Sequence, residues 1–142
     1  MRHETVRVSL KSIIDNLSET GLPSDDREVS ESTAVGTLLL SERGALISFA
    51  ESSEGGEIKT RIEITDRSVH VVRHGAIESD ILFTEGISHS SVYGAPPYTF
   101  DMNVFTKRIR GDIERDGRID IFYDMEIGGA KKSVKMTLSY EI

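Results

Sequence analysis

No cysteine occurs anywhere in the chain. That excludes a disulfide framework, a thiolate nucleophile and a thiolate metal site, and it suits a reducing cytosol. Long apolar runs are missing too. No stretch could span a bilayer as a helix, and the opening MRHETVRVSLKSII lacks the apolar region of a signal peptide. The expectation is a soluble, cytoplasmic, unprocessed protein with no membrane partner. Basic residues number 17 against 24 acidic ones, a net charge of −7, which disfavours nucleic acid as a partner. There is no G-x-S-x-G elbow for Ser/His/Asp catalysis. The glycine-rich stretches SEGG and IGGA read as hairpin turns, without the downstream helix that turns such a loop into a phosphate cradle.

What is present is alternation. In residues 117–142, Ile119, Ile121, Tyr123, Met125 and Ile127 alternate with Asp120, Phe122, Asp124 and Glu126. After Gly128, Gly129 and Ala130, the residues Val134, Met136, Leu138, Tyr140 and Ile142 alternate with polar ones. A side-chain period of two with one oily face marks half-buried antiparallel strands, and the glycine pair supplies a tight turn. Each arm is about nine residues, roughly 30 Å, which suits a barrel better than a short-stranded sandwich. At 37% apolar residues the chain is too hydrophobic for general disorder. Its length fits a single domain over residues 1–142 that buries about two-thirds of its unfolded surface.

The same pattern recurs upstream. Val6, Val8, Leu10, Ser12 and Ile14 give a first strand. The aperiodic, Gly-, Pro- and acid-containing stretch Asn16–Glu28 predicts a long mobile loop. Further strands follow over Val29–Leu40, Ala45–Glu51, Glu57–Ile64, Ser68–His74, Ile77–Thr84, Ile87–Tyr93 and Tyr98–Ile109. Gly36 inside the second predicts a bulge or a bend. With the closing hairpin this makes about ten strands joined by short turns, and no amphipathic helix. The predicted fold class is all-β, an antiparallel up-and-down barrel, closed or nearly closed.

The run GRIDIFYDMEIGG…MTLSYE, with VVRHGAI, FTEG and FTKRI, resembles the YwiB-like family of bacterial proteins. That family is a domain of unknown function whose members look like calycin or lipocalin-type β-barrels. The resemblance implies the barrel and brings no established activity.

Assigning each oily strand face inward carries polar residues inside with it. Ile47 and Phe49 bring Glu51, Val69 and Val71 bring Arg73, and Ile87 brings His89 and Tyr93. The long strand brings Thr106, and the final hairpin brings Tyr123 and Tyr140. Of these, Arg73, Tyr93, Thr106, Tyr123 and Tyr140 also match the YwiB-like pattern. The set admits a structural explanation, in which Arg73 pairs with Glu51 and hydroxyls satisfy the remaining groups. It also admits a functional one, in which Arg73 and the tyrosines form the polar end of a cavity that holds a carboxylate or other oxygen-bearing ligand.

No metal site is expected. His70 and His74 share a strand face but stand roughly 13 Å apart, and His89 has no second ligand in view. No cofactor is expected either. Phe105 and Phe122 read as outward aromatics, which suggest a homodimer contact on the outer barrel surface. The first functional expectation is a non-catalytic barrel that binds a small apolar or carboxylate-bearing ligand. A side-chain-filled interaction module comes second, and an isomerase- or lyase-type enzyme third.

Overall fold

The computed structural model describes residues 2–17 and 23–142. In chain order these form β1 (Arg2–Leu17), β2 (Pro23–Ser41), β3 (Gly44–Ser53), β4 (Gly56–Ile64) and β5 (Ser68–Gly75). Then come β6 (Glu78–Thr84), β7 (Ser88–Ala95), β8 (Tyr98–Asp112), α1 (Ile113–Asp116), β9 (Arg118–Ile127) and β10 (Ala130–Glu141). Each strand pairs antiparallel with the next, and β1 also pairs with β10, so the ladder closes into a barrel. The closing seam runs from Arg7 opposite Glu141 to Asn16 opposite Lys132.

Alternation sets which residues are inside. In β4 the buried Ile58, Thr60, Ile62 and Ile64 alternate with the exposed Glu57, Lys59, Arg61 and Glu63. The same rule sends Val6 and Val8, Leu38 and Leu40, Val69 and Val71, Ile81 and Phe83, and Ile119 and Ile121 into one continuous core. Apolar inside and charged outside is the reverse of what a bilayer-spanning barrel presents. No helix among the described residues is long and apolar enough to cross a membrane. The outer face carries cross-strand ion pairs such as Lys107 with Asp124 at 3.2 Å, each worth well under about 1 kcal/mol at such exposure. Of the two outward phenylalanines, Phe105 is 40% exposed. Phe122 instead lies beneath Arg108, 4.8 Å from its ring centroid, and Lys135.

Three features correct the sequence expectation. Much of the mobile loop expected over Asn16–Glu28 is strand, because β1 continues to Leu17 and β2 begins at Pro23; residues 18–22 lie outside the described residues. Pairing with β1 overrides the turn-like composition there: Asp15 faces Arg27, and the two side chains form an ion pair at 2.8 Å. Gly36 is no bulge, since the register with β1 runs through it unbroken and the pairing with β3 ends at it, opposite Phe49. A Cβ there would lie 2.4 Å from the Ser48 carbonyl oxygen and 2.9 Å from the Phe49 Cβ, so glycine is what lets β3 approach. The register does shift in β8, between Thr106 and Arg108, which returns Ile109 to the core side. The third correction is α1, where a plain turn was expected. Asp112 caps it by accepting from the Glu114 and Arg115 amides at 3.0 and 3.1 Å. Gly117 ends it at φ 65°, and Ile113, 6% exposed, is driven into that end of the barrel.

Gly36→Ala should therefore destabilise the barrel by about 1–3 kcal/mol, since the backbone of β3 must move to admit the methyl group. Urea unfolding followed by far-UV circular dichroism reads this directly. An unchanged midpoint would mean that β3 can withdraw freely.

Candidate functional site

One transverse row of the sheet collects the unusual residues. Phe49 on β3 faces Thr60 on β4, Thr60 faces Arg73 on β5, and Arg73 faces Ser79 on β6. Ser79 faces Tyr93 within the short seam of β6 and β7, and Tyr93 faces Phe100 on β8. Directly opposed residues share a face of the sheet. Phe49, Thr60 and Ser79 are 7%, 3% and 5% exposed, so that face is the interior. Arg73 between them is half-buried. The row then rises to a rim, where Tyr93 and Phe100 are 39% and 58% exposed.

The hydroxyls of this row are unusual for buried groups, which ordinarily find a partner. Thr60 Oγ1 and Ser79 Oγ have no hydrogen-bond partner among the described residues, and neither do Ser91 Oγ and Thr106 Oγ1 deeper on the same face. Ser91 faces Met102, and Thr106 faces Tyr123. No hydrogen bond or ion pair joins Arg73 to a described residue. Its charge is felt at the phenol of Tyr123, which places the guanidinium's influence inside the barrel. Tyr123 is itself buried, its ring 4.7 Å from that of Phe83.

The expected Arg73–Glu51 ion pair is not formed. Glu51 is half-buried one step nearer the mouth and faces Ile58. It is thus two strands from Arg73, about 10 Å across the ladder. The seven interior candidates therefore do not form one cluster. Glu51, Arg73 and Tyr93 belong to the mouth away from α1, with Thr106 and Tyr123 behind them. His89 is half-buried and its Nε2 lies 3.0 Å from Thr84 Oγ1. Tyr140 is half-buried toward the α1 end, where its amide donates to the Gly117 carbonyl at 3.0 Å. Thr60, Ser79, Ser91 and the rim residue Phe100 were not picked out as site residues from the sequence. Alternation is the available signal: Thr60 shares its face with Ile58 and Ile62, and Phe100 with Met102 and Val104.

The family model described as a domain of unknown function, DUF1934, matches residues 14–139. This chain belongs to the DUF1934 family. It is 28% identical to the uncharacterised β-barrel protein YwiB of Bacillus subtilis, over 99% of this chain and 96% of that one. It also superposes on the crystal structure of the Bacillus subtilis ywiB protein with a TM-score of 0.78 at 25% identity, covering 99% of this chain and 94% of the other.

Two concavities of this DUF1934 barrel, neither of them lined by Arg73, are less suited to chemistry. A basin of about 750 Å³ opens at the α1 end, with Leu40, Ile64, Ile109 and Ile119 below an acidic rim. Two of its rim carboxylates have backbone partners: Asp112 caps α1, and Glu85 accepts from the Ile109 amide at 3.2 Å. A groove on the outside of β3–β5 includes His70 and His74, whose rings meet Asp80 at 2.6 Å and Glu78 at 2.9 Å. The Gly75 amide and His74 together hold the Glu78 carboxyl below its ordinary pKa. No group of three or more potential metal ligands occurs among the described residues. By contrast, the Arg73 row sets a donor-only guanidinium between two hydroxyls that can also donate, an arrangement that favours an incoming oxyanion.

Burial pushes the Tyr123 phenol up to about 12, with the Arg73 charge pulling the other way. A folded-state value above the ordinary value of about 10 means a stability contribution present below about pH 10 and lost as pH rises through about 12. Tyr123→Phe should remove the phenolate absorbance that appears near that pH and flatten the alkaline loss of stability. Arg73→Met should push the transition higher still. A Tyr123 wave at the ordinary phenol value, or one unmoved by Arg73→Met, would contradict this geometry.

Proposed function

We propose that this DUF1934 protein is a cytoplasmic barrel that binds, without catalysis, a small carboxylate-bearing molecule at the mouth carrying Arg73. The single observation behind this reading is the half-buried Arg73 opposite two buried hydroxyls, Thr60 and Ser79, none of them hydrogen-bonded through its side chain to a described residue. A guanidinium keeps its proton at any ordinary pH. Each buried polar group left without a partner costs roughly 1–3 kcal/mol. A structural role for Arg73 would have been expressed in a paired carboxylate, and Glu51 is not paired with it. A bound carboxylate would accept from the fork and from one or both hydroxyls at once.

The absence of catalysis rests on the titrating groups nearby. A phenol raised to about 12 is poorly matched to acid–base work near neutrality. His89 is hydrogen-bonded toward Thr84 rather than lying in the Arg73 row. A second reading, an interaction module with a filled barrel, draws on the core, which reaches from Val6 to Leu138 and includes the large side chains Phe49, Phe83 and Tyr123. In that reading the outward Phe105 is the candidate for a contact between two copies of the chain.

Native mass spectrometry of freshly purified protein separates the two. The ligand reading expects an added small mass on the wild type that is lost in Arg73→Met. It also expects the empty variant to keep its urea midpoint, since no protein carboxylate is stranded by the change. A clean wild-type spectrum together with a destabilised Arg73→Met would favour the filled module.

A further inference from the structure

We infer that the molecule held at Arg73 is an aromatic monocarboxylate, its charge on the Thr60–Arg73–Ser79 triplet and its ring against Tyr93 and Phe100. This rests on the ligand reading above and adds the ligand's charge and body. The argument starts from the continuity of the row. The same register that sets Arg73 between two hydroxyls runs on, without a break, to Tyr93 and Phe100. Both aromatics belong to the interior face by register, yet they are 39% and 58% exposed. Tyr98, two residues before Phe100 on the same face of β8, is 72% exposed. Aromatic side chains on an interior face gain most from contact when something covers them. From Arg73 to Tyr93 is two strand spacings, about 10 Å, the reach of a carboxylate, a short spacer and one ring.

The charge follows from what surrounds the fork. One guanidinium with two neutral hydroxyls matches one negative charge in bidentate geometry. A phosphate monoester would bring up to about two charges, and Glu51 stands half-buried on the same face, one step nearer the mouth. That carboxylate penalises a dianion on its way in, as does the overall charge of −7. Replacing the ring with an alkyl chain keeps the ion pair but gives up the offset or edge-to-face contact that two aromatic rims provide.

The test titrates the full chain with phenylpropanoate, hexanoate and phenyl phosphate, read by amide chemical shifts. Phenylpropanoate should bind about tenfold tighter than hexanoate, and phenyl phosphate more weakly than phenylpropanoate. Phe100→Leu, at a rim position that is 58% exposed, should bring phenylpropanoate down to the hexanoate level and leave hexanoate unchanged. Arg73→Met and Arg73→Lys should each weaken both carboxylates by about tenfold or more while the amide spectrum stays that of a folded barrel. Equal binding of hexanoate and phenylpropanoate, with both lost in Arg73→Met, overturns the aromatic assignment and leaves the carboxylate reading standing. Tighter binding of phenyl phosphate overturns the monocarboxylate assignment. Carboxylate binding that ignores Arg73→Met overturns the ligand reading itself, and no binding of any probe overturns the inference.

Discussion

Closure of the ladder is the constraint on which everything else depends. Because β1 pairs with β2 on one side and β10 on the other, every described strand has a neighbour on each side, with the shortest seam between β6 and β7. Register in such a sheet cannot drift by one residue without turning every oily side chain outward. The price is that alternation is obeyed even where the residue it sends inside is polar. Val69 and Val71, each 1% exposed, leave Arg73 no other face while β5 remains a strand, and β5 does so to Gly75. The guanidinium is a consequence of closure as much as of composition.

Natural proteins usually handle an inward charge by pairing it or by replacing it with something oily. Here neither has happened, and the same is true of its neighbours. Valine would fill nearly the same space as Thr60 or Thr106 without an orphan hydroxyl, yet both threonines are 3% exposed or less. The buried hydroxyls lie on four strands, β4, β6, β7 and β8, so no single local irregularity accounts for them. What they share is the interior face, and two of them, Thr60 and Ser79, stand opposite Arg73. A set of polar groups carried by different strands, each unfavourable alone, is easier to understand when one guest satisfies several together.

Much of the fold was legible from period alone. The β9–β10 hairpin and the charged outer face of β4 could be read residue by residue, because each obeys strict alternation across a clear turn. The stretch from Pro23 to Glu28 was not, since its Pro and acids describe a loop by composition while β1 pairs with it at Pro23, Arg27 and Glu28, across a register shift. The β8 register shift also left no sequence signal, as Lys107 looks like any other outward lysine. In the site, inward direction was readable for Arg73, Thr106 and Tyr123. Which inward residues meet was not, because that depends on cross-strand register. Glu51 and Arg73 both point inside, but β4 lies between them. Serines 79 and 91 escaped notice because a small hydroxyl is neutral to any hydrophobic pattern.

The two ends of the barrel are built differently, and that difference gives the row its access. At one end α1, capped by Asp112, sets Ile113 against the core, and the carboxylates around it would repel an anion. At the other, the row containing Arg73 is the last but one inward layer on β4 and β5, with Ile58 and Gly75 above it. Gly75 matters for that layer, since it offers no side chain over Arg73. At φ 118° it holds a backbone conformation that a larger residue would adopt only under strain, and a Cβ there would lie 2.1 Å from the Glu57 carbonyl oxygen. The position directly above the guanidinium on its own strand is thus kept bare by backbone geometry. Along β5, no side chain stands on the inward face between this mouth and Arg73.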